Sequence, residues 1–184
     1  MKLTHKLQEV VDQISNERQA LLEGTSGLTE AQLAFKPQDA QWSINDILHH
    51  LALTDEANSK LAANMLKQAT EKSLPQDPTP EASVLDSLDG FEGRLSGGKF
   101  QAPERVAPRS HLPAAESLAR LQASRERITA TVEQLAAYDL RSLVYPHPLL
   151  GDLNAYQWLI IAGRHERRHT AQISRIKKDP DFPS

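Results

Sequence analysis

The chain has no cysteine among its 184 residues. Disulfides and thiolate metal sites are therefore excluded, and a metal held by side chains would have to rest on nitrogen or oxygen. Nor is there an excess of cationic residues. The 21 lysines and arginines face 24 aspartates and glutamates, a formal charge of -3, so nothing electrostatic argues for a nucleic-acid partner. No apolar run approaches the length of a bilayer span, and the opening MKLTHKLQEVVDQIS carries acids in place of the unbroken apolar segment of a secretory signal. A cytoplasmic protein without membrane contact is the expectation.

Strand-like alternation and internal repeats are also missing, whereas helical periodicity is plain in four stretches. The first runs from about Leu3 to Leu22, with Leu7, Val10, Ile14 and Leu21 in step. Ser43, with Asp46 three residues on, has the form of a capping box and opens the second, which runs to about Lys67. The third covers about Ala114 to Ala137 and the fourth about Asn154 to Lys178. Between the second and third, residues 69–113 hold most of the prolines together with Gly90, Gly93, Gly97 and Gly98, and a short amphipathic helix is expected from about Glu81 to Leu95. Val144 to Leu150 reads as a brief extended piece. The pattern predicts a single all-α domain over residues 1–184, a four-helix bundle with one long crossover connection.

Residues 165–169 read HERRH, the letters of the helical zinc signature of metalloproteases. At 100° per residue, Trp158, Ala162, His165, His169, Ile173 and Ile176 share one stripe of the last helix. Two imidazoles one turn apart on an apolar face each need a buried polar partner, and the spacing lets both reach one cation. A protease would need a third ligand downstream, yet Gln172 and Arg175 occupy the positions where the extended motif has glycine and histidine. A third ligand must come from elsewhere. His50 lies at the edge of the apolar face of the second helix, whereas His49 falls outside it; His147, just before the last helix, is also within reach. His5 and His111 are expected on the surface. Gln172, Tyr156, Trp158 and His147 are candidate pocket or supporting groups. Arg18 and Arg125 interrupt apolar stripes, where an arginine pairs with a carboxylate or reaches an anionic substrate.

The stretches FKPQDAQWSINDILHHLALTDE, HPLLGDLNAYQWL and HERRHTAQISRIKKDPDFP together resemble the DinB-like superfamily of four-helix bundles. The likeness covers the second helix and the C-terminal third. It implies a divalent metal, often zinc or nickel, held by one histidine of the second helix and two of the last, here His50, His165 and His169. It also implies a small-molecule substrate, since some relatives are thiol S-transferases or thiol-dependent isomerases. The expectation is a metal-dependent hydrolase or thiol S-transferase, with a non-catalytic metal or small-ligand binding module as the alternative and a homodimer as the candidate assembly. Because ligation needs neutral imidazole, binding is expected to weaken as pH falls through roughly 6 to 5.

Overall fold

The computed structural model describes residues 3–38, 41–91, 102–108 and 112–184. Four long helices form a bundle: α1 (His5–Thr25), α3 (Ile44–Glu71), α4 (Ala114–Leu135) and α5 (Ala155–Ile176), with a short α2 (Glu30–Ala34) between the first two. Their starts are written in the sequence. Thr4, Thr29, Ser43 and Asn154 each accept a bond from a backbone N–H of the first turn, and the last three form full capping boxes with Gln32, Asp46 and Gln157. Pro113 opens α4, where its fixed φ costs no hydrogen bond.

Two local expectations change. The extended piece at 144–150 is half of a hairpin, in which β1 (Val144–His147) pairs antiparallel with β2 (Gly151–Asn154). Gly151 takes φ 80°, a turn conformation that an L side chain rarely adopts. In place of the helix expected over 81–95, a 3-10 turn covers Leu85–Phe91 and buries Leu88; residues 92–95 lie outside the described set. So does His111.

Neighbouring side chains give the topology. Ile14 meets Gly163 and Gly24 meets Thr170, so α1 and α5 run in the same direction. Glu56 faces Arg120 and Thr70 faces Tyr138, so α3 runs with α4. Short links suffice where the chain reverses, before α3 and after α4. The parallel step from α3 to α4 must carry the chain back along a helix of 28 residues, about 42 Å at 1.5 Å per residue. That return is the proline-rich crossover. One close approach needs glycine: a Cβ on Gly163 would sit 3.2 Å from Ile14 Cγ2 and 3.3 Å from its Cα.

The apolar core falls into two parts. Leu7, Val10, Ile14, Met65, Ile128, Val132 and Ile160 belong to one, and Leu21, Ile44, Leu48, Leu51, Leu121 and Ile173 to the other. Along every long helix a buried charge stands between them: Arg18, Asp55, Arg125 and Glu166. Arg18 donates to Asp55 Oδ2 at 2.7 Å and, through Nε at 3.0 Å and through Nη2, to Glu166 Oε1. Arg125 Nη2 reaches the same Oε1 at 3.0 Å and Asp55 at 3.4 Å. Two cations and two anions, one from each long helix, thus form a neutral belt across the bundle. The arginines are committed here, which removes the anionic-substrate role considered for them.

Candidate metal centre

One turn along α3 from this belt, His50 turns its ring toward α5. Its Nε2 lies 3.2 Å from His165 Nε2, which in turn lies 3.2 Å from His169 Nε2. The ligand atoms of the three all fall within 4.8 Å of one another. His50 and His169 are buried, and His165 keeps some residue exposure although its ring is desolvated.

The outer nitrogens fix the tautomers. His50 Nδ1–H donates to the Val106 carbonyl at 2.8 Å, and His169 Nδ1–H donates to Gln172 Oε1 at 3.0 Å. Each ring therefore presents a bare Nε2 lone pair to His165. A single N–H on His165 can answer only one of them, so two lone pairs face each other with one proton between them. A cation at their centre would resolve that conflict. Tetrahedral ligands at a Zn–N distance of about 2.0–2.1 Å stand about 3.3 Å apart, close to the 3.2 Å separations seen here. Anchoring the distal imidazole nitrogen to a carbonyl is the usual support for a histidine ligand. Val106 lies in a 3-10 turn, Glu104–Val106, of the crossover, which thereby orients His50.

Burial pushes all three imidazoles below the usual histidine range, His169 to about 3 and His165 well down, with mutual repulsion and the charge of Arg168 adding to it. They stay neutral and able to ligate. The Trp42 ring lies over His50 at 4.8 Å and is stacked toward His169 at 6.3 Å, a cover that the helical wheels did not select. Its signal was local: Trp42 immediately precedes the Ser43 cap, which fixes its place beside the first turns of α3.

The supporting candidates separate. Gln172 sits against His169, as described. His147 lies on β1 with its ring 5.0 Å from Trp158, and its Nδ1 accepts from the backbone N–H groups of Leu149 and Leu150. It is near enough for its charge to act on His165. Tyr156 is elsewhere. It donates to Asp77 Oδ2 at 2.7 Å, beside Lys6 at 2.6 Å from the same oxygen, and so ties the crossover to α1 and α5. It lies on a second buried stripe of α5, with Ile160, Gly163 and Glu166, that faces α1. His49, expected outside the core, is only 7% exposed; it lies two turns before Glu56 on the side of α3 that faces Arg120 of α4. Its Nδ1 has no hydrogen-bond partner among the described residues. His5 is exposed, as expected.

Glu166 of the HERRH stretch points away from the three histidines into the charge belt. Burial raises its carboxyl above the usual range while the two guanidiniums pull the other way. It is placed as a structural anion and not as a base beside a metal.

The sequence profile of the DinB superfamily matches residues 13–173. An uncharacterized Bacillus subtilis (strain 168) protein, YuaE, is 29% identical over 153 residues, covering 83% of this chain and 87% of that protein. GK0616 of Geobacillus kaustophilus (strain HTA426), provisionally named a metal-dependent hydrolase, is 22% identical over 173 residues, covering 94% of this chain and 85% of its own. Among solved structures, TT2238, described as a four-helix bundle protein, superposes with a TM-score of 0.62 at 19% identity, covering 92% of this chain and 98% of the other.

Proposed function

The chain belongs to the DinB superfamily, and we propose that it is a metal-dependent enzyme acting on a small molecule, with a divalent ion held by Nε2 of His50, His165 and His169. The carrying observation is the facing of three Nε2 atoms whose outer nitrogens, on His50 and His169, are already committed to carbonyl oxygens. Zinc and nickel are among the ions that suit an all-imidazole set. Three protein ligands favour catalysis over a closed structural site, which takes four. Among the described residues no further histidine or carboxylate joins the group.

A bound ion supplies Lewis acidity, which polarises a substrate carbonyl or acidifies water or a thiol. The protein supplies the rest. Val106 and Gln172 hold two rings in the ligating tautomer, and Trp42 shields the buried side. Hydrolysis and thiol transfer are the two reactions that this arrangement serves, and the relative named as a metal-dependent hydrolase lends weight to the first.

The test is elemental analysis of protein equilibrated with zinc or nickel and then desalted. About one ion per chain is expected in the wild type, with most of it lost in His50→Ala, His165→Ala and His169→Ala. Equal metal in all four proteins would remove the assignment.

A further inference from the structure

The proline-rich crossover reaches the three histidines through the Val106 carbonyl. Its 3-10 turn, Glu104–Val106, packs against α3. Within the turn, the Val106 N–H donates to the Pro103 carbonyl at 3.0 Å and the Ala107 N–H to the Glu104 carbonyl at 3.3 Å. Those bonds shape the turn without fastening it to a helix. Val106 fastens it: its side chain is buried, and its carbonyl accepts from His50 Nδ1–H at 2.8 Å.

A neutral imidazole carries one proton, and His50 has two places to use it. On Nδ1 the proton holds Val106. On Nε2 it would donate to His165 Nε2, 3.2 Å away, and leave the Val106 carbonyl facing a bare lone pair. Without an ion the two arrangements compete, because each satisfies one acceptor and strands another. Once the Nε2 lone pair is given to an ion, the proton can stand only on Nδ1. That N–H then becomes a stronger donor, because the ring has passed charge to the ion.

We propose that the metal latches the crossover: ligation through His50 Nε2 fixes the proton on Nδ1 and holds Glu104–Val106 against α3, and loosening that turn weakens the metal site. The inference rests on the metal reading above and adds a coupling between the ion and a turn that supplies none of the three ligands. The coupling is reciprocal. The factor by which an ion tightens the turn is the factor by which the turn tightens the ion. The other 3-10 turn of the crossover, Leu85–Phe91, is an internal control, since Arg164 holds it, donating to the Leu85 carbonyl at 2.7 Å and to Asp89 at 3.1 Å.

NMR-detected amide hydrogen exchange of the whole protein, with and without zinc, tests the latch. Zinc should slow exchange at Val106 and Ala107 about tenfold, the lower end of what the partner of a ligating histidine contributes to metal affinity. Exchange at Ser87, in the control turn, should not change. The slowing should be absent in His169→Ala, which keeps His50 and Val106 but loses the ion. Val106→Gly removes the buried side chain and loosens the turn; it should weaken zinc binding about tenfold in a chelator competition, although all three histidines remain. Loaded protein that exchanges at Val106 and Ala107 as fast as metal-free protein overturns the latch and leaves the metal reading standing. Equal slowing at Ser87 also overturns it, because that is general stabilisation. So does a Val106→Gly variant that binds zinc as tightly as the wild type. If that variant does not fold, the exchange rates decide. Protein that takes up no zinc overturns both readings together.

Discussion

Glu166→Gln separates the two roles that HERRH allows, a base beside a metal or an anion within the core. The substitution keeps shape and removes charge. In the native belt, Arg18 and Arg125 are balanced by Asp55 and Glu166, all nearly out of solvent, with Glu166 1% exposed. Without the carboxylate, two guanidiniums share Asp55 alone and the belt carries an uncompensated positive charge. Breaking a buried pair in this way costs about 3–5 kcal/mol. For a chain of this size each kcal/mol lowers Tm by about 2–4 °C, so a fall on the order of 10 °C is expected. Urea unfolding followed by far-UV circular dichroism gives the free energy, and elemental analysis of the folded protein gives the metal. Metal content should be unchanged, because the carboxylate points away from the histidines. The stronger test is the double variant Arg18→Met/Glu166→Gln. It restores neutrality by leaving Arg125 with Asp55, and it should be more stable than Glu166→Gln alone. A double variant whose loss equals or exceeds the sum of the two single losses would refute the charge-balance reasoning.

Five further outcomes are expected. His50→Ala should lose metal while His49→Ala keeps it, the latter costing about 1–2 kcal/mol through a cavity under α4; a chelator titration and a denaturation curve read the two effects separately, and the reverse order of metal loss would mean that α3 is turned the other way. Burial holds the three imidazoles below the ordinary range, so metal should be retained well below pH 6.5, beneath the window expected for unburied histidines; release complete by pH 6 would contradict this. In the metal-free protein the sign follows from the same depression: below about pH 6.5 the unfolded chain takes up protons first, so stability present above that value should decline as pH falls toward about 3, the value to which His169 is lowered. Asp77 is held at about 2 by bonds from Lys6 and Tyr156 against the cost of burial; its contribution is present above about pH 4 and lost as pH falls toward 2, so Asp77→Asn should flatten the unfolding midpoint over that interval. Gly163→Ala should destabilise despite the better helix former, since the new methyl meets the Ile14 backbone as well as its side chain; a rise in Tm would show that α1 yields freely.

The sequence reveals helices because capping and periodicity are local. Thr4, Ser43 and Asn154 mark the starts, and the apolar residues mark the faces. It reveals His165 and His169 for the same reason, since one turn of a helix relates them. What it hides depends on which helices meet. His49 looks exposed when α3 is judged by its apolar residues, yet it is buried, as Ser59 is, on a helix whose Asp55 and Glu56 meet Arg125 and Arg120 of α4. Glu166 looks peripheral, and Tyr156 looks like a pocket group, when α5 is given one buried stripe, but this helix packs on α1 and α3 and buries two. The Val106 carbonyl has no sequence signal at all, because any residue there would offer the same oxygen.

The belt and the histidines belong together mechanically. Asp55 follows His50 by five residues, and Glu166 directly follows His165, so one pair of helices carries both clusters in nearly the same register. Two apolar faces can slide past each other by a turn, about 5.4 Å, at moderate cost, because Leu and Ile pack acceptably in more than one register. Buried charges cannot. A one-turn slip of α5 against α1 and α3 would strand Glu166 among leucines and leave Arg18 and Arg125 underpaired. The same slip would carry His165 Nε2 beyond ligating distance of His50. On this reasoning the charge belt exchanges some stability for a single register, and the three-nitrogen geometry depends on it. A belt rebuilt entirely from apolar residues should therefore give a bundle as stable as the natural one or more so, but with weaker metal affinity and broadened histidine NMR signals. A rebuilt protein that binds metal as tightly as the wild type would show that the core packing alone sets the register.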